Sequence, residues 1–217
     1  RWKLDRYTES GGGEGVLEGD AMATQLAPTR IEDVATQEKL ITGEELLAMG
    51  SEADLYELVE GRIKPMSPTG FAHGQYEVNF AQYLQRFVEQ QKTGKVVTGE
   101  VGIYIRRDPD TIRAADVAYI SNERLAQRQK KKGYLDVAPE LIVEIMSPDD
   151  NWSEVTQKMR EYFSIGVKLI WIADPEAKTI YAYRSMTEVR EFKMGEALTA
   201  DEMLVGFSVP VAELFEE

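Results

Sequence analysis

The chain has 217 residues, 38 acidic against 25 basic side chains, a formal charge of −13 and no cysteine. That length suits one domain with a sizeable core; the missing thiols exclude a disulfide framework and thiolate-metal sites; the acidity excludes a broad DNA-coating surface. No apolar run approaches the roughly 18 residues that span a bilayer, and the first residues do not read as a signal peptide, so a cytoplasmic setting without membrane contact is expected.

Residues 1–37 are expected to be a flexible extension, with Met22 a candidate native start, because Ser10 to Gly15 has the composition of a linker. Residues 38–217 are expected to be one domain. Thr42 with Glu45 three residues on is a capping box that starts a short helix. Leu55 to Ile63 reads as two short strands around a Glu60-Gly61 turn. From His73 to Gln91, the residues Tyr76, Phe80, Leu84, Phe87 and Val88 recur at helical spacing, with Gly94 closing the helix. Val96 to Ile105 alternates as a strand, Arg107 to Asp110 turns, and Ala114 to Ile120 is the next strand.

Between Arg106 and Lys132 eight basic residues face four acidic ones. This local patch fits either a nucleic-acid contact or a solvated loop. Asn122 to Gly133 reads as a short helix or loop. Leu141 to Met146 is an apolar strand, a helix follows from about Ser153 to Ser164 with Gly166 at its stop, and Lys168 to Ala173 is another strand. Strand, helix, strand makes a βαβ unit with parallel strands. Thr179 to Arg184 and Glu188 to Lys193 form an antiparallel pair. The apolar residues Leu204, Phe207, Val209, Val211, Leu214 and Phe215 form a last packing segment, or alternatively a dimer surface.

Two carboxylates interrupt apolar strands: Glu144 in Leu141 to Met146 and Asp116 in Ala114 to Ile120. Burying an unpaired carboxylate costs several kcal/mol unless something compensates it. Two carboxylates on neighbouring strands can share a hard cation such as Mg²⁺ or Mn²⁺, which prefers oxygen ligands, activates water and offsets phosphodiester charge. Lys158, at the border of its helix's apolar stripe beside Val155 and Tyr162, can reach back over the Glu144 strand and fix the attacking water. The plainer alternative is that the acids face solvent on alternate strand positions and Lys158 is a surface lysine. His73, alone of its kind, is either a hydrogen-bonded core residue, a phosphate contact or a partner of a carboxylate.

At these residues the chain resembles the Uma family of putative restriction endonucleases in the PD-(D/E)XK nuclease superfamily. The stretches that carry the resemblance are Tyr56 to Gly61, His73, Arg113 to Val117, Ala138 to Pro148, Lys158 with Tyr162, and Gly166 through Trp171 to Pro175. The resemblance implies an α/β (α+β) fold with a restriction-endonuclease-like core, a mixed central β-sheet flanked by helices. It also implies metal-dependent phosphodiester hydrolysis and a homodimer. Asp116 and Glu144 take the positions of the motif acids, and the Ile145 backbone carbonyl would complete the metal site. Glu57 and His73 match supporting positions. The chain departs from the pattern at Ala115, where the family usually has proline, at Glu154, where it usually has aspartate, and at Met146, where the superfamily's motif lysine stands. Lys158 is therefore the candidate for the lysine role.

The expectation is a Mg²⁺- or Mn²⁺-dependent endonuclease acting on nucleic acid, with DNA expected over RNA. The rival is a catalytically inactive nuclease-fold protein that binds nucleic acid or a protein partner.

Overall fold

The computed structural model describes residues 39–50, 56–130, 132–148, 150–200 and 203–217. The extension expected over residues 1–37 lies outside the described residues. From Lys39 onward the chain is one contact unit.

The first element of the described residues is α1 (Gly43–Ala48), whose capping box is as expected: Thr42 accepts from the Glu45 backbone N–H while the Glu45 carboxylate accepts from the Thr42 N–H. The hairpin β1 (Tyr56–Val59) and β2 (Arg62–Pro65) turns at Glu60 and Gly61, both with positive φ, as a two-residue hairpin of the twisted type demands. Next is α2 (Phe71–Gln91), with Tyr76, Phe80, Leu84 and Val88 buried. Its left-handed cap residue is Lys92, not Gly94. Gly94 instead opens the following strand, where a Cβ would stand 2.1 Å from the Ile120 carbonyl oxygen, so close backbone approach is what requires glycine there.

That strand, β3 (Gly94–Arg106), pairs antiparallel along β4 (Thr111–Ser121), whose residues are buried from Thr111 to Ile120. After α3 (Asn122–Ala126) come β5 (Leu141–Ile145), α4 (Trp152–Ser164) and β6 (Leu169–Asp174). β5 and β6 are parallel, as the βαβ pattern predicts. β7 (Thr179–Tyr183) and β8 (Val189–Lys193) extend the sheet antiparallel. The pair β9 (Ala197–Thr199) and β10 (Ser208–Pro210) and the short α5 (Val211–Leu214) close the chain.

The mixed sheet runs β2-β1-β4-β5-β6-β7-β8, with β3 on the other edge of β4. On one face α2 packs Tyr76, Phe80, Leu84 and Val88 against Val117, Tyr119, Val143 and Trp171. On the other, Met159 and Tyr162 of α4 pack with Ala118, Ile142, Ile170 and Ile172. The C-terminal apolar residues are not a dimer surface. Leu204, Phe207, Val209, Val211, Leu214 and Phe215 are buried in the α2 core cluster, where they remove apolar area from water within one chain.

One topological detail sets the site. β1 joins β4 at Leu58 and Ile112, while β5 joins it from Val117 to Tyr119. Arg113 to Asp116 therefore lie in a fork where β1 and β5 part. Main-chain groups of a buried strand still need partners there, and side chains supply them.

Candidate active site

The fork is filled by charged side chains. Ala114 N–H donates to Glu57 Oε1 at 3.1 Å, and the Ala114 carbonyl accepts from Lys158 Nζ at 3.0 Å, with the Tyr162 hydroxyl 3.1 Å away. Continuing the β4–β5 register by one step sets Asp116 across from Glu144. Asp116 Oδ2 accepts from the Ile145 N–H at 2.7 Å, which locks the acid onto the neighbouring strand. Glu144 accepts from Lys158 Nζ at 2.9 Å and from the Tyr162 hydroxyl at 2.7 Å. The structure thus brings Asp116, Glu144 and Lys158 together.

Glu57 joins them from β1. It is buried and ion-pairs with Arg113 at 2.8 Å, and it lies 3.5 Å from Lys158 Nζ. Arg113 also reaches across to Glu161 of α4 at 2.5 Å, so one guanidinium ties β1, β4 and α4. His73, at the start of α2, turns Nε2 toward Asp116 Oδ2 at 3.5 Å and Nδ1 toward Ser147 Oγ at 3.3 Å. The first contact is a charge attraction without hydrogen-bond geometry, which leaves Nε2 as a buried atom lacking a hydrogen-bond partner. Of the alternatives for His73, the geometry matches both a carboxylate partner, Asp116, and a hydrogen-bonded imidazole, through Ser147.

These neighbours shift the titrating groups in opposite senses. Burial, reinforced by the nearby Asp116 charge, pushes the Glu144 carboxyl up to about 7, despite Lys158 and Tyr162 favouring its ionised form. Burial also disfavours the Lys158 ammonium, but Glu144, Glu57 and Asp116 outweigh it and hold the amine above the ordinary lysine range. Burial would raise Glu57 as well, yet Lys158 and Arg113 carry it below the usual carboxylate range. Burial works against a charged His73, while Asp116, Glu77 and Glu100 raise it overall.

Glu100 and Glu77 are site residues that sequence reasoning missed. The β3–β4 register shifts between Thr98 and Val101, where Gly99 and Glu100 both have positive φ. This bulge re-aims Glu100 toward the acids. Burial, then the charges of Glu77 and Asp116, raise its carboxyl. Glu77, one helical turn after His73, holds the bulge by accepting from the Gly99 N–H at 2.7 Å and from the Thr98 hydroxyl. The available signal was Gly99 itself, since a glycine inside a strand pattern often marks a bulge. Arg113 and Tyr162 were legible only as parts of the family pattern.

The basic patch between Arg106 and Lys132 is largely paired. Arg106 meets Glu60, Arg107 and Lys130 share Glu44, Arg128 meets Asp136, and Arg124 meets Glu140 and nearby carbonyls. Exposed pairs of this kind contribute little stability, about 0–1 kcal/mol, but they remove the open cationic surface that the sequence count suggests. Glu140, the other acid of the central stretch, is occupied locally by Ser121 and Arg124.

The donor chemistry fits a hard divalent cation. Asp116 and Glu144 offer oxygen ligands on adjacent strands, and their mutual repulsion is the imbalance a dication would relieve. Among the described residues, no three His, Asp or Glu side chains form a ready-made cage. A cation here would rest on two carboxylates, main-chain oxygen and water.

The Uma2 family, described as "Putative restriction endonuclease", matches residues 44–212. The chain belongs to this family. The Uma2 match spans every element that builds the fork, from α1 to the start of α5. No curated protein matches the chain. The fold is similar to a crystal structure titled as a putative nuclease belonging to DUF820 from Anabaena variabilis, with a TM-score of 0.68 and 20% identity, covering 81% of this chain and 97% of that one. At that identity the likeness concerns the fold, and it agrees with a mixed sheet flanked by helices as the Uma2 core. Among the described residues no helix is long and apolar enough to cross a membrane.

Proposed function

We propose that this Uma2 chain is a divalent-metal-dependent endonuclease that hydrolyses phosphodiester bonds of DNA. The observation that carries this reading is the Lys158–Glu144 contact beside Asp116, which sets a cation and two acids in one fork of the sheet. Asp116, Glu144 and the Ile145 carbonyl would hold Mg²⁺ or Mn²⁺, which when bound supplies an acidified water and charge relief for the phosphate.

The chain's own residues do the positioning. Lys158 Nζ, kept charged by its carboxylate neighbours, orients the attacking water and meets the negative charge that grows on the phosphate oxygens. The Ala114 carbonyl and Glu57 hold that ammonium in place. His73 steadies Asp116 from the start of α2. In the net reaction water adds to phosphorus, one P–O ester bond breaks, and the leaving oxygen takes a proton.

Calorimetric titration of Mg²⁺ and Mn²⁺ tests the assignment. Binding by the wild type that disappears in Asp116→Asn supports it. Unchanged binding in both Asp116→Asn and Glu144→Gln removes the site from these residues.

A second reading has its own observation. Met146 stands at the motif-lysine position, and Lys158 Nζ is already engaged with Glu144, Glu57 and the Ala114 carbonyl. A nuclease-fold protein that binds nucleic acid or a protein without turnover would look the same. It predicts retention of DNA with no metal-dependent loss of substrate. The homodimer implied by the resemblance is proposed on the nuclease reading alone, and sedimentation equilibrium at twice the monomer mass is its expected signature.

A further inference from the structure

A cavity adjoins the fork, with a volume of about 290 Å³. It shares Ala114 and Glu100 with the site and is otherwise walled by Tyr56, Tyr134, Leu46 and Gly102, among others. Its size falls just below the ~300–1,000 Å³ range of ligand pockets, which suits one planar heterocycle rather than a larger ligand. Its wall is built around an aromatic ring. The Tyr134 ring sits directly over Gly102, where a Cβ would stand 2.3 Å from the ring, and the Tyr104 ring braces it edge-on with centroids 5.9 Å apart. Leu46 is fully buried and Tyr56 partly so. The Gly99–Glu100 bulge puts Glu100 both in the wall of this mixed polar and apolar pocket and opposite Asp116 in the β3–β4 register.

We infer that this pocket receives a single unstacked nucleobase next to the scissile phosphate, held against Tyr134, with Glu100 accepting a hydrogen bond from an exocyclic amino group. The inference rests on the nuclease reading and names its substrate class: a strand with at least one unpaired nucleotide at the cut. An aromatic ring offers a stacking face that any base can use. A carboxylate is selective, because it accepts from the cytosine N4 amino group and repels the thymine O4 oxygen at the equivalent place. Catalysis on a duplex would require the base to leave the stack, which is easiest at mismatched or already single-stranded positions.

The test is fluorescence anisotropy of wild-type protein with two labelled single-stranded probes, an all-thymidine oligonucleotide and the same strand with one central cytidine, both in Ca²⁺. The cytidine probe is expected to bind about tenfold tighter, the worth of one charge-assisted hydrogen bond. Glu100→Gln is expected to bring the ratio close to one. A weakened cation site would lower both affinities equally, so the ratio isolates base readout. Tyr134→Leu, checked for folding by its thermal transition, is expected to weaken both probes by about tenfold or more. Equal affinity of wild type for the two probes, or a ratio unchanged in Glu100→Gln, overturns the inference. If such a protein still cleaves DNA with Mg²⁺, the pocket inference fails and the nuclease reading stands. If wild type binds neither the probes nor duplex DNA, both fail.

Discussion

Lys158 and Glu144 stand 2.9 Å apart although 14 residues separate them in sequence, because α4 folds back over the strand that precedes it. The pair is half of a larger balance in which Lys158 and Arg113 face Glu57, Glu144 and Glu161 inside one fork of the sheet. Removing one partner leaves the other buried without compensation. Lys158→Met is expected to lower the unfolding free energy by about 3 kcal/mol, measured by urea denaturation, and to abolish cleavage. A variant as stable as wild type would mean that the half-buried pair carries no net weight in the fork.

Stability should depend on pH through Glu144. Burial pushes its carboxyl up to about 7 in the folded chain, above the ordinary 4.5, so the folded state binds the proton more tightly. The associated stabilisation is full below about 4.5 and is lost as pH rises through 7. In chelated protein, the stability of wild type relative to Glu144→Gln should therefore fall between pH 5 and 8. Parallel curves for the two proteins would contradict a raised Glu144. His73, also raised, contributes with the same sign but is present in both.

Arg113 should not tolerate lysine. Its guanidinium spans Glu57 and both oxygens of Glu161, a fork that a single ammonium cannot reproduce. Arg113→Lys is expected to destabilise by about 2 kcal/mol in chemical denaturation. A change within error of zero would show that one of the two carboxylates carries no weight.

Glu100 is expected to trade stability for function. Burial, then the charges of Glu77 and Asp116, disfavour its ionised form. Glu100→Gln should raise the thermal midpoint at pH 8 by the equivalent of about 1 kcal/mol while impairing nucleic-acid handling. A lower midpoint would place Glu100 in a compensated structural role.

Much of this arrangement was readable from the chain alone. Leu141 to Asp174 declared its βαβ unit, and Asp116, Glu144 and Lys158 stood out because charge interrupts or borders apolar runs that have their own periodicity. Glu57 came from the family pattern, and His73 both from that pattern and from being the chain's one histidine. The fork itself was not legible, since nothing local says that β1 and β5 share one edge of β4, and long-range pairing is set by the whole sheet. Glu100 was hidden for a related reason: strict alternation through Val101, Ile103 and Ile105 says nothing about the one extra residue by which Gly99 and Glu100 together face the single Asp116 position of β4. The C-terminal segment shows the limit of composition, because six apolar residues that read first as core also admit a weaker reading as a dimer face until α2 is seen to lie beneath them.

The most direct measurement is cleavage of supercoiled plasmid by purified wild type, Asp116→Asn and Lys158→Met, with Mg²⁺, with Mn²⁺ and with chelator. Metal-dependent nicking or linearisation by wild type, reduced by about 100-fold or more in both variants, is the predicted result. Equal cleavage by all three proteins, or none by wild type under any condition while DNA remains bound, would contradict it.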